Sequence, residues 1–469
     1  MSHTKKLLKN TAIIAIGKLS TQVVSFLLLP VYTSVLSTAE YGEYDFVMTL
    51  SLFIVPVITL LMEESMFRFL IDASNEKEMS KVISQTFVFT IISCFFFSLL
   101  CYFVGFKIFN FKYTLELIII NCATIIMGLS NSLARGVGNI KLYSFSNFIA
   151  SLLTIIFNVL FIVYLNLGLL GMLYGYAISN FIAAVFTFVV MNTHKYVKLS
   201  NFDKVMMNEM VRYSIPLVPN SISWVIMNMS SRLIITTTMG NSANGVFSIA
   251  SKFPNLINTL YGFFYTSWKE TASRSIKDSN HESFYNFIYA NLKRLLISLV
   301  VMMISVMPFA FSFLINESYS EAYYYIPLLS ISMYFANLSG FYGGIFTAYK
   351  DTKILGTTTV IGAFVNVIVT IFFIKHIGIY AAALGSMVSN IITNSIRYKK
   401  VIEVEKLNSD KKLYAMTFVV LIIILATYYY NEIYSNIFAL ILSTLFCIFI
   451  NKELIFNIIA KLRNIPRIS

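Results

Sequence analysis

Gly168-Leu-Leu-Gly-Met-Leu-Tyr-Gly175-Tyr-Ala-Ile-Ser179-Asn180 returns 210 positions later as Gly378-Ile-Tyr-Ala-Ala-Ala-Leu-Gly385-Ser-Met-Val-Ser389-Asn390. Two glycines, a serine and an asparagine hold their spacing, and both copies open an apolar run. A weaker echo sets Glu40-Tyr41-Gly42-Glu43-Tyr44 against Ala243-Asn244-Gly245-Val246-Phe247. Self-similarity at a long offset marks a duplicated architecture. Six expected helices separate equivalent positions, and an even number leaves both halves facing the same way. That predicts parallel repeats related by an axis along the membrane normal, with a site expected between them near mid-depth.

Apolar runs extend from these copies over nearly the whole chain. Of its 469 residues, 57% are hydrophobic and only 12% charged, against about 25% charged in a soluble domain. The mean hydropathy is +0.75. Segments of about 20 apolar residues cross a bilayer, and lipid forces such segments into helices because their backbone groups find no other partners. The pattern predicts helices near 11–36, 43–70, 83–106, 113–134, 145–165, 169–191, 213–239, 244–268, 288–315, 322–348, 354–374, 378–396, 413–430 and 434–450. The expected fold class is an all-α polytopic membrane protein of fourteen transmembrane helices, two parallel six-helix repeats plus two C-terminal helices. The expected organisation is an N-terminal lobe over 1–192, a cytoplasmic linker over 193–212 and a C-terminal lobe over 213–397. A cytoplasmic loop over 398–412, helices over 413–450 and a basic cytoplasmic tail over 451–469 complete it. The first run is too long for a signal-peptide core and is followed at once by another span, so it reads as a retained helix.

Lys and Arg set the orientation. The outer loops hold only Lys107, Lys112 and Lys375, and Lys18, Arg68, Arg232 and Lys252 fall inside expected spans. All the other basic residues lie in segments on the side of both termini, which is the positive-inside pattern with cytoplasmic termini. That distribution also argues against nucleic acid as the reason for the net charge of +13.

A charge within a span costs at least about 2.5–3.5 kcal/mol and normally faces a partner or a wet cavity. Lys18, Gln22 and Ser25 share one helix face, a polar stripe pointing away from lipid. A longer stripe runs through Ser248, Lys252, Asn255, Thr259, Gly262 and Thr266. Asn220, Ser223 and Ser230 line one side of the 213–239 helix, and Pro216 and Pro219 are expected to bend its inner end. Arg232 and Lys252 are expected at similar depth. Two readings stand for these cations: the walls of a water-filled cavity that accepts an anionic headgroup, or side chains that snorkel to an interface or pair locally. For Arg68, local pairing is favoured, because Glu64 and Asp72 each lie four residues away, and Glu64 with Arg68 is taken as the structural pair. Glu63 is a candidate for taking up a coupling proton or Na⁺, with simple pairing as its alternative. Tyr323, Tyr324 and Tyr325, and Tyr428 to Tyr430, stand at span ends and fit an interfacial aromatic belt.

The chemistry that is missing narrows the class further. The only Gly-Lys pair, Gly17-Lys18, is followed by Leu19, so no phosphate-binding loop of an ATPase is present. Neither HExxH nor GxSxG occurs, the four histidines are scattered, and Cys94, Cys101, Cys122 and Cys447 all lie inside apolar runs with no CxxC pair. No cofactor or metal is implied. A membrane glycosyltransferase or polymerase acting on lipid-linked sugars needs a sizeable outer catalytic loop, and the outer connections are short.

The opening Leu29-Pro30-Val-Tyr32-Thr33-Ser-Val-Leu36, followed by Ala39-Glu40-Tyr41-Gly42-Glu43-Tyr44, resembles the signature of the polysaccharide-transporter (Wzx-type flippase) family. That family belongs to the multidrug/oligosaccharidyl-lipid/polysaccharide exporter superfamily. Ser231-Arg232-Leu-Ile-Ile, Gly240 and Gly245-Val-Phe-Ser248-Ile-Ala-Ser-Lys252 are similar to its second-half pattern, with Ser231 where many members carry Asp. The resemblance covers essentially the whole chain. It implies two six-helix lobes around a cavity open alternately to each side, and a cargo of undecaprenyl-diphosphate-linked oligosaccharide flipped to the outer leaflet of a bacterial cytoplasmic membrane. It further implies an ion gradient or membrane potential as driving force, a cavity-facing Lys18, and last helices like those of the lipid II flippase branch, where they form a lipid-accommodating groove. Polymerase and glycosyltransferases of the same pathway are the implied partners, beside membrane lipids. The rival readings are a lipid II flippase and a multidrug/Na⁺ antiporter of the same superfamily. The antiporter predicts an acidic cavity, whereas the buried charges here are mainly basic.

Overall fold

The computed structural model describes residues 26–108, 111–276, 278–349, 351, 353–454 and 456. These form helices α1 (Leu29–Val35), α2 (Thr38–Thr59), α3 (Met62–Asp72), α4 (Glu76–Cys101), α5 (Thr114–Gly136), α6 (Ile140–Asn158), α7 (Gly168–Val190) and α8 (Lys204–Ser214). They continue with α9 (Leu217–Met239), α10 (Asn241–Ser275), α11 (His281–Leu314), α12 (Ala322–Ala348), α13 (Lys353–Ile377), α14 (Tyr380–Val401), α15 (Lys411–Tyr430) and α16 (Ile433–Ile450). No strand occurs among the described residues. Nine of the described helices are long and apolar enough to cross a membrane: α2, α4, α5, α6, α7, α11, α13, α15 and α16. The expectation of fourteen covers the whole chain, and most of its first span, 11–36, falls outside the described residues. α10 and α14 have the length, but Lys252 and Asn255 on one, and Asn390, Asn394 and Arg397 on the other, lower their hydropathy.

The chain divides into two compact units, Met1–Met229 and Ser230–Ser469, with the division inside α9. The core of the first joins α2, α5 and α7 through Val47, Leu117, Ile120, Leu169 and Leu173. A second cluster gathers Met62 and Met66 of α3, Val82 and Ile83 of α4, Leu129 and Leu133 of α5, and Met210 of α8. The segment expected as a linker is therefore packed onto this unit. Ser80 and Ser84 both donate to the Tyr196 carbonyl, at 2.6 and 2.9 Å, and Lys81 pairs with Asp203 at 3.0 Å. Asp203 also caps α8, accepting from the N–H groups of Val205 and Met206. The Lys81 ammonium, and next these N–H groups, hold its carboxyl below the usual range. α8 ends just before Pro216, which has no N–H to continue the ladder of helical hydrogen bonds, while Ile215 ahead of it keeps helical backbone.

The second expected helix, 43–70, is broken in two. Leu60 and Leu61 are both left-handed, with φ of 47° and 54°, a conformation costing a non-glycine residue about 1–2 kcal/mol. Thr59 relieves the break: its hydroxyl donates to Val55 O and accepts from the Leu61 N–H, both at 3.1 Å. Glu63 and Glu64 thus open a new helix, where the unpaired N–H groups of a first turn favour carboxylates.

In the second unit α12 packs against both α10 and α14, and α14 against α13. Trp268 stacks on Phe341 with centroids 4.5 Å apart, and its indole N–H donates to the Phe341 carbonyl. Two of the tyrosines read as an aromatic belt do something else. Tyr323 and Tyr428 are buried, stacked at 4.1 Å, and each hydroxyl donates to the other's carbonyl, joining α12 to α15. Tyr324 and Tyr430 remain exposed.

Candidate substrate-binding residues

The signature that opens the first unit is a structural device. Ser37 and Glu40 form a capping box at the start of α2, each side chain bonded to the other's backbone N–H. Tyr41 is buried, and Tyr113 donates its hydroxyl to Glu43. Tyr32 of α1 accepts the side-chain N–H of Asn158, a fully buried residue ending α6. The opposite oxygen of that amide faces Gly175, and a Cβ there would collide with it.

The second unit repeats this construction. Asn366 of α13 is buried, and its amide donates to Ser230 and Ser231 of α9 at 3.3 and 3.1 Å. Its carbonyl oxygen lies 2.7 Å from where a Cβ on Gly385 would stand. Ser231, which departs from the acidic residue of the resembled pattern, is thus a buried hydrogen-bonding partner of Asn366. Gly168 and Gly378 are left-handed as well, with φ of 52° and 57°, which only glycine adopts freely.

Lys18, Gln22 and Ser25 lie outside the described residues, as does the side chain of Asn220, whose backbone is on α9. Arg232 is half-buried on α9, directly after Ser231. Lys252 and Asn255 are half-buried on α10, with Pro254 between them, and the Asn255 carbonyl accepts from Thr259 at 2.9 Å. Glu63 is half-buried at the start of α3, its carboxylate 3.4 Å from the Thr59 hydroxyl. The expected Glu64–Arg68 pair is corrected: Arg68 bonds Asp72 at 2.6 Å. The break at Leu60–Leu61 turns Glu64 into a half-buried first-turn residue, while Arg68 and Asp72 share an exposed helix end.

Three cations that the loop count had set aside are held inside the units. Arg135 lies over the Phe67 ring at 4.3 Å. The Arg397 guanidinium donates to Thr358 Oγ1 at 2.8 Å, Thr359 Oγ1 at 3.0 Å, and the Ser339 and Leu355 carbonyls at 3.2 Å. Lys293 is 1% exposed. Position alone signals the last: it falls inside the helix expected over 288–315. Among the described residues, no group of three or more His, Cys, Asp or Glu could hold a metal ion.

The fold is similar to those of solved membrane transporters. The lipid II flippase MurJ in an inward closed conformation is 15% identical, matching 96% of this chain and 100% of its own with a TM-score of 0.71. An inward-facing multidrug resistance MATE family transporter is 15% identical over 84% of this chain and 100% of its own, TM-score 0.67. An outward-facing transporter of that family is 13% identical over 85% and 96%, TM-score 0.56. No curated protein matches the chain in sequence. Residues 7–268 match the polysaccharide biosynthesis protein family, and the chain belongs to that family.

Proposed function

We propose that this protein flips undecaprenyl-diphosphate-linked oligosaccharide repeat units across the bacterial cytoplasmic membrane for surface polysaccharide synthesis, by alternating access and without a catalytic step. One observation carries this reading beyond family membership. A fold match over 96% of the chain leaves fewer unmatched residues than α15 and α16 together contain, so the C-terminal pair is at least partly shared with a flippase of a lipid-linked sugar. The multidrug transporters match only 84–85%. The same likeness favours a second reading, lipid II as the cargo.

Lys18, Gln22, Ser25, Asn220, Arg232, Lys252 and Asn255 are the residues proposed to meet the cargo, with the cations facing its diphosphate. Glu63 is proposed to take up the coupling ion. The Lys and Arg asymmetry supports cytoplasmic termini, and the pathway's polymerase and glycosyltransferases are the proposed partners.

Complementation tests this. Wild-type and a Lys18→Ala/Lys252→Ala double variant, expressed equally, are introduced into a host lacking its own polysaccharide flippase, and surface polymer and internal lipid-linked precursor are scored. The reading expects polymer with wild-type and trapped precursor with the double variant. Polymer with both removes the lysines from the mechanism. Restoration of lipid II flipping alone selects the second reading.

A further inference from the structure

Lys293 is the most deeply buried cation among the described residues. Its Nζ lies 3.2 Å from the Asn408 carbonyl, 4.1 Å from the centroid of Tyr289 and 5.4 Å from that of Tyr414. No carboxylate among the described residues is within ion-pair distance. A buried ammonium whose direct contacts are a carbonyl and two ring faces, with the Asp410 carboxylate acting on it from beyond ion-pair distance, is incompletely compensated. It borders a cavity of about 470 Å³ that Arg294, Asp410 and Lys411 also line. Arg294 is partly neutralised by Glu453 at 3.2 Å, and a smaller adjoining cavity adds Lys412 and Lys452. Cations outnumber carboxylates around this space.

Further along α11 and α15 lies a groove of about 480 Å³ with almost wholly apolar walls: Val300 and Val301 of α11, Ile331 and Phe335 of α12, and Phe418 and Leu421 of α15. Tyr414 joins the two, facing Lys293 on one side and lining the groove on the other. Lys293 and Val300 are seven residues apart on one face of α11, about 10 Å along the axis. A basic pocket and an apolar groove at that spacing suit an amphiphile with an anionic phosphate head. α16 contributes nothing to the groove walls.

We propose that this is a binding site for an anionic glycerophospholipid of the surrounding bilayer. Its phosphate faces Lys293, Arg294 and Lys411, and one acyl chain lies between α11, α12 and α15. The basic pocket has the volume of a small-ligand site, which suits a phosphoglycerol head and is too small for several sugars. The proposal depends on the chain residing in a membrane and not on the identity of its cargo.

The test uses the full chain purified in mild detergent, with binding read by native mass spectrometry and by the shift in thermal unfolding midpoint. The probes are dioleoylphosphatidylglycerol, dioleoylphosphatidylcholine, glycerol phosphate and undecaprenyl phosphate. The expected result is one saturable phosphatidylglycerol site, with tenfold or weaker binding of phosphatidylcholine and no saturation by glycerol phosphate. Lys293→Gln and the groove-filling Ala415→Trp are each expected to weaken phosphatidylglycerol at least tenfold. If Lys293→Gln fails to fold, Lys411→Gln, on the exposed rim, takes its place with an expected loss of about threefold. Equal affinity for both phospholipids, or phosphatidylglycerol binding unchanged in both the head and groove variants, overturns the proposal. Tighter binding of undecaprenyl phosphate at the same site also overturns it, and assigns the groove to the cargo's carrier lipid.

Discussion

Asn158 and Asn366 hold the same place in the two repeats. Each is a buried asparagine on the penultimate helix of its six-helix half, with its amide donating to a hydroxyl on that half's first helix. In each, the oxygen lies against the second glycine of the repeated segment, Gly175 or Gly385. Where lipid removes most of the hydrophobic drive between helices, close approach at small residues and interhelical hydrogen bonds hold them together. The glycine admits the amide and the amide ties the third helix.

Filling that approach is therefore costly in both halves. Gly175→Val and Gly385→Val should each lower stability by about 1–3 kcal/mol, the usual range for overpacking. Unfolding of the detergent-purified chain, followed by fluorescence-detected size exclusion, reads this, and an unchanged midpoint for either variant would deny the close contact.

The hydroxyl partners differ, and so should their loss. Tyr32→Phe strips the Asn158 N–H of the one partner described for it, a cost of about 1–3 kcal/mol for an unsatisfied buried donor. Ser231→Ala leaves Asn366 its second acceptor, Ser230, and should cost less than half as much. The reverse order in the same assay contradicts the assigned bonds.

The repeat was legible because its glycines and amides are required by contact geometry, and the helix spans because the bilayer dictates their length. The break at Leu60–Leu61 was not, since leucine carries no left-handed preference and the apolar run passes straight through it. Nor was α8, whose apolar Val205, Met206, Met207 and Met210 are too few to suggest anything beyond a linker. For Lys293 and Arg397 the charge asymmetry gives only the side of the membrane, because counting charges by side says nothing about how far into a helix bundle a side chain reaches. Arg68 pairs with Asp72 rather than Glu64 although both stand four residues away on α3, a choice that spacing leaves open.

At the break, Leu61→Gly should be neutral or stabilising by up to about 1 kcal/mol. Relief of the left-handed strain, about 1–2 kcal/mol, exceeds glycine's extra chain entropy, about 0.5–1 kcal/mol. Leu61→Val should lower stability, because branching at Cβ worsens the same clash. A drop for both variants would argue against left-handed backbone at that position.

Docking of the 196–203 segment and α8 onto α4 should weaken in acid. The Asp203 carboxyl is held below its usual range by Lys81 and two N–H groups. A depressed folded pKa contributes stability above the unfolded value that is lost as pH falls through the folded one. Hydrogen exchange across 196–214 should thus be protected at neutral pH and rise as pH drops below the ordinary carboxylate range. Asp203→Asn should show the faster exchange at neutral pH and little further change. Identical profiles for the two proteins would remove this ion pair from the docking.

The central claim is that the chain moves a lipid-linked oligosaccharide. It is tested most directly in proteoliposomes that contain the purified full chain and a fluorescent undecaprenyl-diphosphate oligosaccharide, with an impermeant quencher added outside and an ion gradient or membrane potential imposed. The account predicts that the protected inner-leaflet fraction becomes quenchable at a rate set by wild-type protein, and that Lys18→Ala/Lys252→Ala slows this at least tenfold with folding intact. A quenchable fraction equal to that of protein-free liposomes, under every gradient tried and with the oligosaccharide of the source strain, would contradict it.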